Sequence, residues 1–232
     1  MAPGKKKEEK ENNDQEESAE DPAHETEIES VPVMFDLGSL TPKDPKIRVT
    51  GIYGDINEEK CSETLYGLLM LKETMHETES MEDEQTGDII EVDIIRPIDF
   101  YLSTHGGSAT EMFALYDVMR QVREECPIHT FGVGKVMSAG VLLLAAGTKG
   151  ERRIGMNCRV MIHGVISGQQ GYLADVENEF EEAKFTQELY IKALAGETDM
   201  TVKYLRKLLQ RKTNVYLSAK DAVELGIADI II

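Results

Sequence analysis

The 232-residue chain has no apolar run that approaches the roughly 18 to 20 residues needed to span a bilayer. Its start, MAPGKKKEEK, is basic but lacks the apolar core of a secretory signal, so we expect no export and no membrane partner. Cysteine is scarce: Cys61, Cys126 and Cys158 are odd in number and lack the spacing of a metal site. These absences favour a protein of the cytoplasm, or of the host cytoplasm if the source is viral. The reduced cysteines are then expected to be small buried or half-buried residues.

Positive charge is also in short supply, because 25 Lys and Arg oppose 43 Asp and Glu, for a net charge of -18. Residues 1–32 carry 11 acids and 4 lysines, and residues 76–93 carry 8 acids with no Lys or Arg. The rest of the chain is therefore nearly balanced, at -3. Such acidic runs are usually solvated. Nucleic-acid binding is not expected, because phosphates need cationic partners.

Hydrophobic periodicity divides the chain into two parts. Residues 1–44 form an acidic segment that we expect to be largely disordered. Residues 45–232 alternate strands with helices, which predicts one α/β domain, with an acidic insertion at about 76–93 that forms a loop or a mobile hairpin. The predicted strands cover 47–53, 98–102, 128–133, 159–162 and 227–232, and the predicted helices cover 57–73, 111–123, 138–146, 172–194, 202–210 and 219–225.

Reactive groups coincide with strand ends at three places. Gly106 and Gly107 follow a predicted strand, Ser138 follows another and opens a helix of small residues, and His163 ends a third. Each has an ordinary structural interpretation: a turn, a helix N-cap and a structural histidine. Acyl transfer, however, needs a nucleophile, a base and N–H donors for an oxyanion, and one edge of an α/β sheet can supply all of them.

Several consecutive segments resemble ClpP, the proteolytic subunit of the Clp protease, over roughly Ile47 to Ile232. They keep their mutual spacing, and the longest are SAGVLLLAAGTKG (138–150), NCRVMIH (157–163), YLSA (216–219) and AVELG (222–226). The resemblance implies the ClpP/crotonase-like superfold, built from repeated ββα-type units. It also implies that the helix over 172–194 is a protruding handle that pairs two rings.

The resemblance further implies a chemistry and an assembly. Ser138 matches the family nucleophile and His163 the base, while the backbone N–H groups of Gly107 and Ala139 match the oxyanion hole. The expected function is a self-compartmentalising serine endopeptidase that hydrolyses unfolded polypeptides inside a homo-oligomeric heptamer or double heptamer. The chain itself would need no metal and no cofactor, because ATP is used only by a partner AAA+ unfoldase.

One departure concerns the third catalytic position, where the family usually has Asp and this chain has Asn214. An asparagine can orient an imidazole but carries no charge, and in a chymotrypsin-like enzyme the Asp-to-Asn change costs about 10⁴ in turnover. Two further interpretations therefore stay open: a catalytically weak structural or regulatory ring subunit, and a crotonase-like acyl-CoA enzyme. Asp199 is a candidate acid in case Asn214 does not face the ring.

Other departures concern partners. Lys212-Thr213 stands where the family often has an acid–Arg pair between rings, and Tyr101 matches one residue of the apolar pocket that receives the unfoldase. Asp99, Arg153 and Gly155 fall where apolar residues are common, and polar groups weaken a hydrophobic anchor. Our hypothesis is that the chain uses a non-standard unfoldase partner or none.

Overall fold

Strands and helices alternate along the chain in the computed structural model, which describes residues 47–83, 86–168, 170–210 and 213–232. All of these residues fall in one compact unit, 45–232. The acidic segment 1–44 lies outside the described residues, so its disorder and the boundary after it stay predictions. Lys212 also lies outside them.

The described strands are β1 (Val49–Ile56), β2 (His76–Glu82), β3 (Ile89–Ile95), β4 (Ile98–Gly107), β5 (Ile128–Met137), β6 (Arg153–Ile154), β7 (Arg159–Ile162), β8 (Val215–Leu217) and β9 (Ile230–Ile231). The described helices are α1 (Glu58–Glu73), α2 (Ala109–Arg123), α3 (Ala139–Ala145), α4 (Leu173–Glu197), α5 (Val202–Leu209) and α6 (Ala219–Glu224).

A largely parallel sheet organises the fold. Its order is β1-β4-β5-β6-β9, all in parallel pairs, while β7 pairs parallel with β5 and antiparallel with β8. Helix α3, AGVLLLA, is buried along its whole length. Its neighbours in the core include Phe100, Leu102, Leu115 and Val136. This arrangement of helices on a parallel sheet confirms the predicted α/β fold class.

Most described helices begin at a residue whose side chain caps the first turn. Asn57, Ser108, Thr201 and Ser218 each accept a hydrogen bond from a backbone N–H three residues on. Such caps stabilise a helix by about 1 kcal/mol. They fix where α1, α2, α5 and α6 begin, close to the positions that periodicity predicts.

Strands β4 and β5 extend further than predicted, so Gly106, Gly107 and Gly134 lie within strands. The segment 105–107 forms the end of β4 instead of following it, and β5 continues to Met137, directly before Ser138. The register of β4 against β5 shifts between Leu102 and Thr104. Gly134, which has a positive φ of 67°, lets the chain continue through this irregularity. Sequence alternation does not show such a shift, so the predicted strands ended too early.

The short strands also differ from the sequence-based predictions. The last strand is Ile230–Ile231, shorter than the predicted 227–232, because the buried Ile227 and Ala228 belong to the turn after α6. Strands β6 and β8, with two and three residues, were not predicted. Segments this short contain too few alternations to be recognised.

Helix α4 protrudes from the body, as the handle prediction requires. It has 25 residues, so it is about 37 Å long at about 1.5 Å per residue. Only its C-terminal part packs on the core, through Tyr190, Ile191 and Leu194. Leu173 and Phe180 are exposed, although their spacing predicts an apolar face. These apolar side chains are therefore present on the helix but uncovered.

The acidic insertion forms a hairpin, one of the two predicted alternatives. Strands β2 and β3 pair antiparallel, from His76 opposite Ile95 to Glu82 opposite Ile89, as a separate two-stranded sheet. At its base, Arg96 N–H donates to the Met75 carbonyl at 2.8 Å. The mobility of this hairpin stays a prediction.

The buried guanidinium of Arg152 joins distant parts of the domain. Arg152 is only 4% exposed and donates to both carboxylate oxygens of Asp229. It also donates to the carbonyls of Glu197 at 2.7 Å and Gly226 at 2.8 Å. Partial burial of Asp229 acts to raise the pKa of its carboxyl, but the hydrogen bonds and charge of Arg152 outweigh it and lower that pKa. This network ties β6 to the ends of α4 and α6.

We predict that Arg152→Met lowers the free energy of unfolding by about 3–5 kcal/mol, because it leaves the Asp229 carboxylate without its cation. Because the pKa of Asp229 is lowered on folding, the pair contributes fully above the ordinary carboxyl pKa and is lost as pH falls through the lowered one. Urea unfolding at pH 7 and fixed protein concentration measures the full effect. The exposed Lys149→Met is the control, expected within about 0.5 kcal/mol of the parent. A similar loss in both variants would contradict this account.

Candidate active site

Ser138 has a strained backbone, and its side chain does not form the hydrogen bond of a helix cap. Its φ of 54° makes it the one non-glycine residue with positive φ in the described part of the chain. It occupies the N-cap position of α3, yet its side chain makes no capping hydrogen bond. The N-cap interpretation of Ser138 is therefore wrong for its hydroxyl. A strained conformation of this kind costs of order 1–3 kcal/mol and is found mostly at functional sites.

Three backbone and side-chain contacts hold Ser138 in that conformation. Its N–H donates to the Met161 carbonyl at 2.7 Å, and its carbonyl accepts from Val141 N–H at 3.0 Å. The hydroxyl of Tyr190, on α4, donates to the same carbonyl at 3.2 Å. Burial raises the pKa of Tyr190, so the phenol stays protonated and remains a donor. Strand β7 and the handle helix thus both anchor the turn.

Strand register brings His163 between Ser138 and Asn214. Met137 pairs with Met161 where β5 lies beside β7, so Ser138 lies beside the end of β7, which His163 follows. On the other side of β7, Ile162 pairs with Val215 of β8 in antiparallel register. Continuing this register by one residue sets His163 opposite Asn214.

The same residues line two adjoining cavities. One, of about 370 Å³, is lined by Ser138, Ala139, Gly107 and His163. The other, of about 520 Å³, is lined by His163 and Asn214 together with Gln187 and Thr213. His163 belongs to both. All five predicted site residues therefore line one or both of these cavities.

Of the two glycines that end β4, Gly106 lies directly against Ser138 and Gly107 lies against Ile56. Gly106 has a φ of 102°, and a Cβ there would lie 2.6 Å from Ser138 Cβ and 3.1 Å from Ser138 Oγ. A Cβ on Gly107 would lie 2.1 Å from the Ile56 carbonyl oxygen. Both positions therefore require glycine. Gly107 lines the cavity that contains Ser138, and Gly106 lies beside the Ser138 hydroxyl.

The hydrogen bonds that would link a catalytic serine, histidine and asparagine are not formed among the described residues. Within the described residues, none joins the Ser138 hydroxyl to His163 or the His163 ring to Asn214. Ser138 and His163 are half-buried, and Asn214 is exposed. In structures without substrate such bonds are often long and shorten only when a substrate binds. The arrangement has the neighbours that acyl transfer needs, in an open geometry.

Asp199, the alternative acid, lies elsewhere. Its carboxylate is beside Gly226, where a Cβ would lie 2.7 Å from Asp199 Oδ2, and its N–H donates to the Leu225 carbonyl. Neither cavity that contains His163 includes it. The structure therefore gives no support to Asp199 as a partner of the imidazole.

Several cavity residues were missed from sequence. The contact of Tyr190 with Ser138 spans 52 positions, so no local pattern indicates it. His105, directly before the glycine pair, also lines the cavity, as do Met112, Val165 and Ile166. The position of His105 beside Gly106 was a usable signal. The other residues come from separate elements and had none.

The cysteines are not competing nucleophiles. All three are free and buried, as predicted. Burial raises the pKa of Cys61, with a contribution from Glu111, and that of Cys158, each to about 11. Burial also raises the pKa of Cys126 despite nearby Arg48. The thiols therefore stay protonated and unreactive.

Residues 47–83, 86–168, 170–210 and 213–232 contain neither a metal-binding cluster nor a membrane-spanning helix. No group of three or more His, Cys, Asp or Glu side chains there is arranged to hold a metal ion. None of the helices in these ranges is both long and apolar enough to cross a membrane. A larger cavity, of about 720 Å³, lies between α2 and α4. Two of the charged residues that line it, Arg123 and Glu197, already form an ion pair with each other at 2.7 Å.

Comparison with known proteins gives the same relationship that the sequence motifs indicate. The ATP-dependent Clp protease proteolytic subunit 1 of Prochlorococcus marinus (strain NATL2A) is 32% identical to this chain over 134 residues. That alignment covers 58% of this chain and 66% of the relative, slightly under two thirds of its length. The model of the Clp protease family matches residues 56–232, which include the whole candidate site. The chain therefore belongs to the Clp protease family.

Proposed function

We propose that the chain is a subunit of a self-compartmentalising serine endopeptidase that hydrolyses peptide bonds of unfolded proteins. One observation carries this proposal. The strained, uncapped Ser138 shares a single cavity with His163 and with the backbone of Gly107 and Ala139. A nucleophile, a base and amide donors in one cleft are the parts that acyl transfer requires.

The reaction follows from these parts. Ser138 Oγ attacks the scissile carbonyl while His163 takes its proton. The N–H groups of Gly107 and Ala139 bind the oxygen of the tetrahedral intermediate. His163 then returns the proton to the leaving amine, and water hydrolyses the acyl-enzyme with the same imidazole as base. No metal or cofactor of this chain takes part.

Asn214 is proposed to orient the imidazole. Its amide oxygen can accept a hydrogen bond from His163, because the register of β7 and β8 sets the two residues opposite each other. An amide does not neutralise the imidazolium that forms during attack. We therefore infer a lower turnover than an aspartate would give.

The proposed assembly is a heptamer or double heptamer with the active sites inside, in the cytoplasm. The exposed Leu173, Phe180 and Phe185 give α4 an apolar surface suited to contact between two rings. In such an assembly ATP is used by a partner AAA+ unfoldase and not by this chain. Light scattering of the purified protein measures the mass directly.

The unfoldase is proposed to be non-standard or absent. Tyr101 stacks on Phe131 with ring centroids 4.5 Å apart, and the guanidinium of Arg153 lies over Phe131 at 5.1 Å. Arg153 is held there by Glu151 at 2.6 Å. A charged pair over these rings opposes insertion of an apolar anchor. Near-stoichiometric capture of a standard Clp unfoldase would contradict this proposal.

A second candidate is a catalytically weak structural or regulatory ring subunit. It is favoured by Asn214 at the third position and by the lack, within the described residues, of a hydrogen bond between the Ser138 hydroxyl and His163. The acyl-CoA alternative is not favoured, because the family match is to the Clp protease. Hydrolysis of fluorescently quenched casein by the purified chain separates the first two. The endopeptidase releases fluorescence and is inhibited by a serine-directed fluorophosphonate, whereas the structural subunit gives background release only.

The contact between Gly106 and Ser138 gives a more local prediction. Gly106→Ala is expected to lower kcat/KM for a fluorogenic peptide by at least about 100-fold, because the added Cβ displaces Ser138 by a fraction of an ångström or more. Gly196→Ala, where no atom lies within 4 Å of an added Cβ, is the matched control. Thermal unfolding checks that Gly106→Ala is folded. Unchanged activity in a folded Gly106→Ala protein would show that these backbone atoms do not shape the site.

A further inference from the structure

Strand β3 is unusually apolar for its position. Its sequence, IIEVDII, contains five Ile and Val in seven residues. Ile89, Ile90 and Ile95 are nevertheless 79%, 43% and 48% exposed. Met81, which pairs with Ile90 across the hairpin, is 51% exposed. The β2–β3 hairpin thus presents apolar side chains to solvent on both of its faces.

The outer edge of β3 is also without a strand partner. Within the described residues the sheet has two strands, and β3 pairs only with β2. Unpaired N–H and C=O groups along an apolar edge form a template for an added strand. Natural edges are often protected by Pro, by Lys or by other charged side chains; β3 has no Lys or Pro, and its charged residues, Glu91 and Asp93, are both acidic. A two-stranded sheet is also only marginally stable until a further element packs on it.

The hairpin is held firmly at its base. Arg48, 8% exposed, donates to the carbonyls of Leu71 at 2.7 Å, Thr74 at 2.9 Å and Pro97 at 3.1 Å. These carbonyls flank the points where the chain enters and leaves the hairpin. These hydrogen bonds fix the base of the hairpin, so β3 loses less conformational entropy when a further strand binds to its edge.

The acidic charge of the hairpin indicates which kind of segment binds to the edge of β3. The segment 76–93 carries 8 acids and no Lys or Arg. Glu79, Glu82 and Glu91 form no ion pair within the described residues. A second copy of the hairpin would bring the same charges, and residues 1–32 carry a net charge of -7, so both would be repelled. A cationic segment is attracted instead.

We propose that the edge of β3 docks an extended segment of a partner protein in which apolar residues alternate with Lys or Arg. The segment adds a third strand to the hairpin. Because side chains alternate along a strand, its apolar side chains lie on the face of Ile90, and its cations lie on the opposite face, beside Ile89 and Glu91. This surface is separate from the cavity of Ser138, so the inference does not depend on the proposed hydrolase activity.

The test uses a fluorescein-labelled octapeptide of alternating lysine and valine, with binding followed by anisotropy. Every protein carries Ser138→Ala, so that hydrolysis does not interfere. The doubly substituted Ile89→Thr/Ile90→Thr protein keeps β-branched residues in the strand but loses apolar surface. It is expected to bind at least tenfold more weakly than its parent. Glu91→Lys is expected to weaken binding as well and to reduce its salt dependence.

Two controls make the result decisive. Met156→Thr removes an exposed apolar side chain that is 73% accessible and lies outside the hairpin, and it is expected to leave binding unchanged. An octapeptide of alternating glutamate and valine is expected not to bind. Equal binding of the basic peptide by the parent and both hairpin variants would overturn the proposal. A fall in mass of the double variant by light scattering would do so too, because it would assign the edge to a second copy.

Discussion

Replacing Ser138 by alanine is expected to reduce kcat for peptide hydrolysis by at least about a thousandfold, and by as much as about a millionfold if His163 is fully effective. The alanine removes the hydroxyl that attacks the carbonyl and leaves the amide donors in place. His163→Ala is expected to cost nearly as much, and the double variant little more than either, because the two groups act as one unit. A fluorogenic peptide assay with purified proteins measures all three.

Ser62→Ala is the matched control for the loss of a hydroxyl. Ser62 is exposed on α1, far in sequence from the cavity, and its variant is expected to keep full activity. Circular dichroism and light scattering check that the Ser138 variant keeps its fold and mass. A folded Ser138→Ala protein with parental kcat would assign any hydrolysis to another residue and end the proposed mechanism.

The opposite effect is expected from Asn214→Asp, a gain of turnover. A carboxylate opposite His163 would accept the imidazole N–H and stabilise the imidazolium formed during attack. In a chymotrypsin-like enzyme the reverse change costs about 10⁴ in turnover, so we expect kcat to rise at least tenfold. The gain should be present at pH 7 and above, where the new carboxyl is ionised. It should appear in kcat more than in KM, because the charge acts in the transition state.

Two variants show whether the gain is specific to position 214. Asn214→Ala is expected to lower kcat, because it removes the orienting amide. Asp199→Asn is expected to leave kcat unchanged, since Asp199 lies beside Gly226 and outside both cavities of His163. A flat response to both Asn214 variants would mean that the residue does not face the ring, and the structural-subunit alternative would gain support.

Local sequence was sufficient to predict where reactive residues occur. Strand alternation ended near Gly107, Ser138 and His163, and the structure brings these residues to one cavity. The resemblance supplied Asn214, which no pattern in the residues around it indicates. The buried helix α3 followed from its run of apolar residues.

Contacts between distant elements were not predictable from sequence. The strain at Ser138 depends on hydrogen bonds from Tyr190 and to Met161, 52 and 23 positions away. The register that sets His163 opposite Asn214 depends on β8, a strand of three residues. The exposure of Ile89 was likewise not predicted, because an apolar strand in sequence looks the same whether it is buried or at an edge.

Covalent labelling by a fluorophosphonate tests most directly whether Ser138 is a nucleophile activated by His163. We expect one label for each active subunit of the parent protein, located at Ser138 by peptide mass spectrometry. Labelling should be lost in Ser138→Ala and slowed at least a hundredfold in His163→Ala. A label on a different residue, or equal labelling rates in the parent and His163→Ala, would contradict the account.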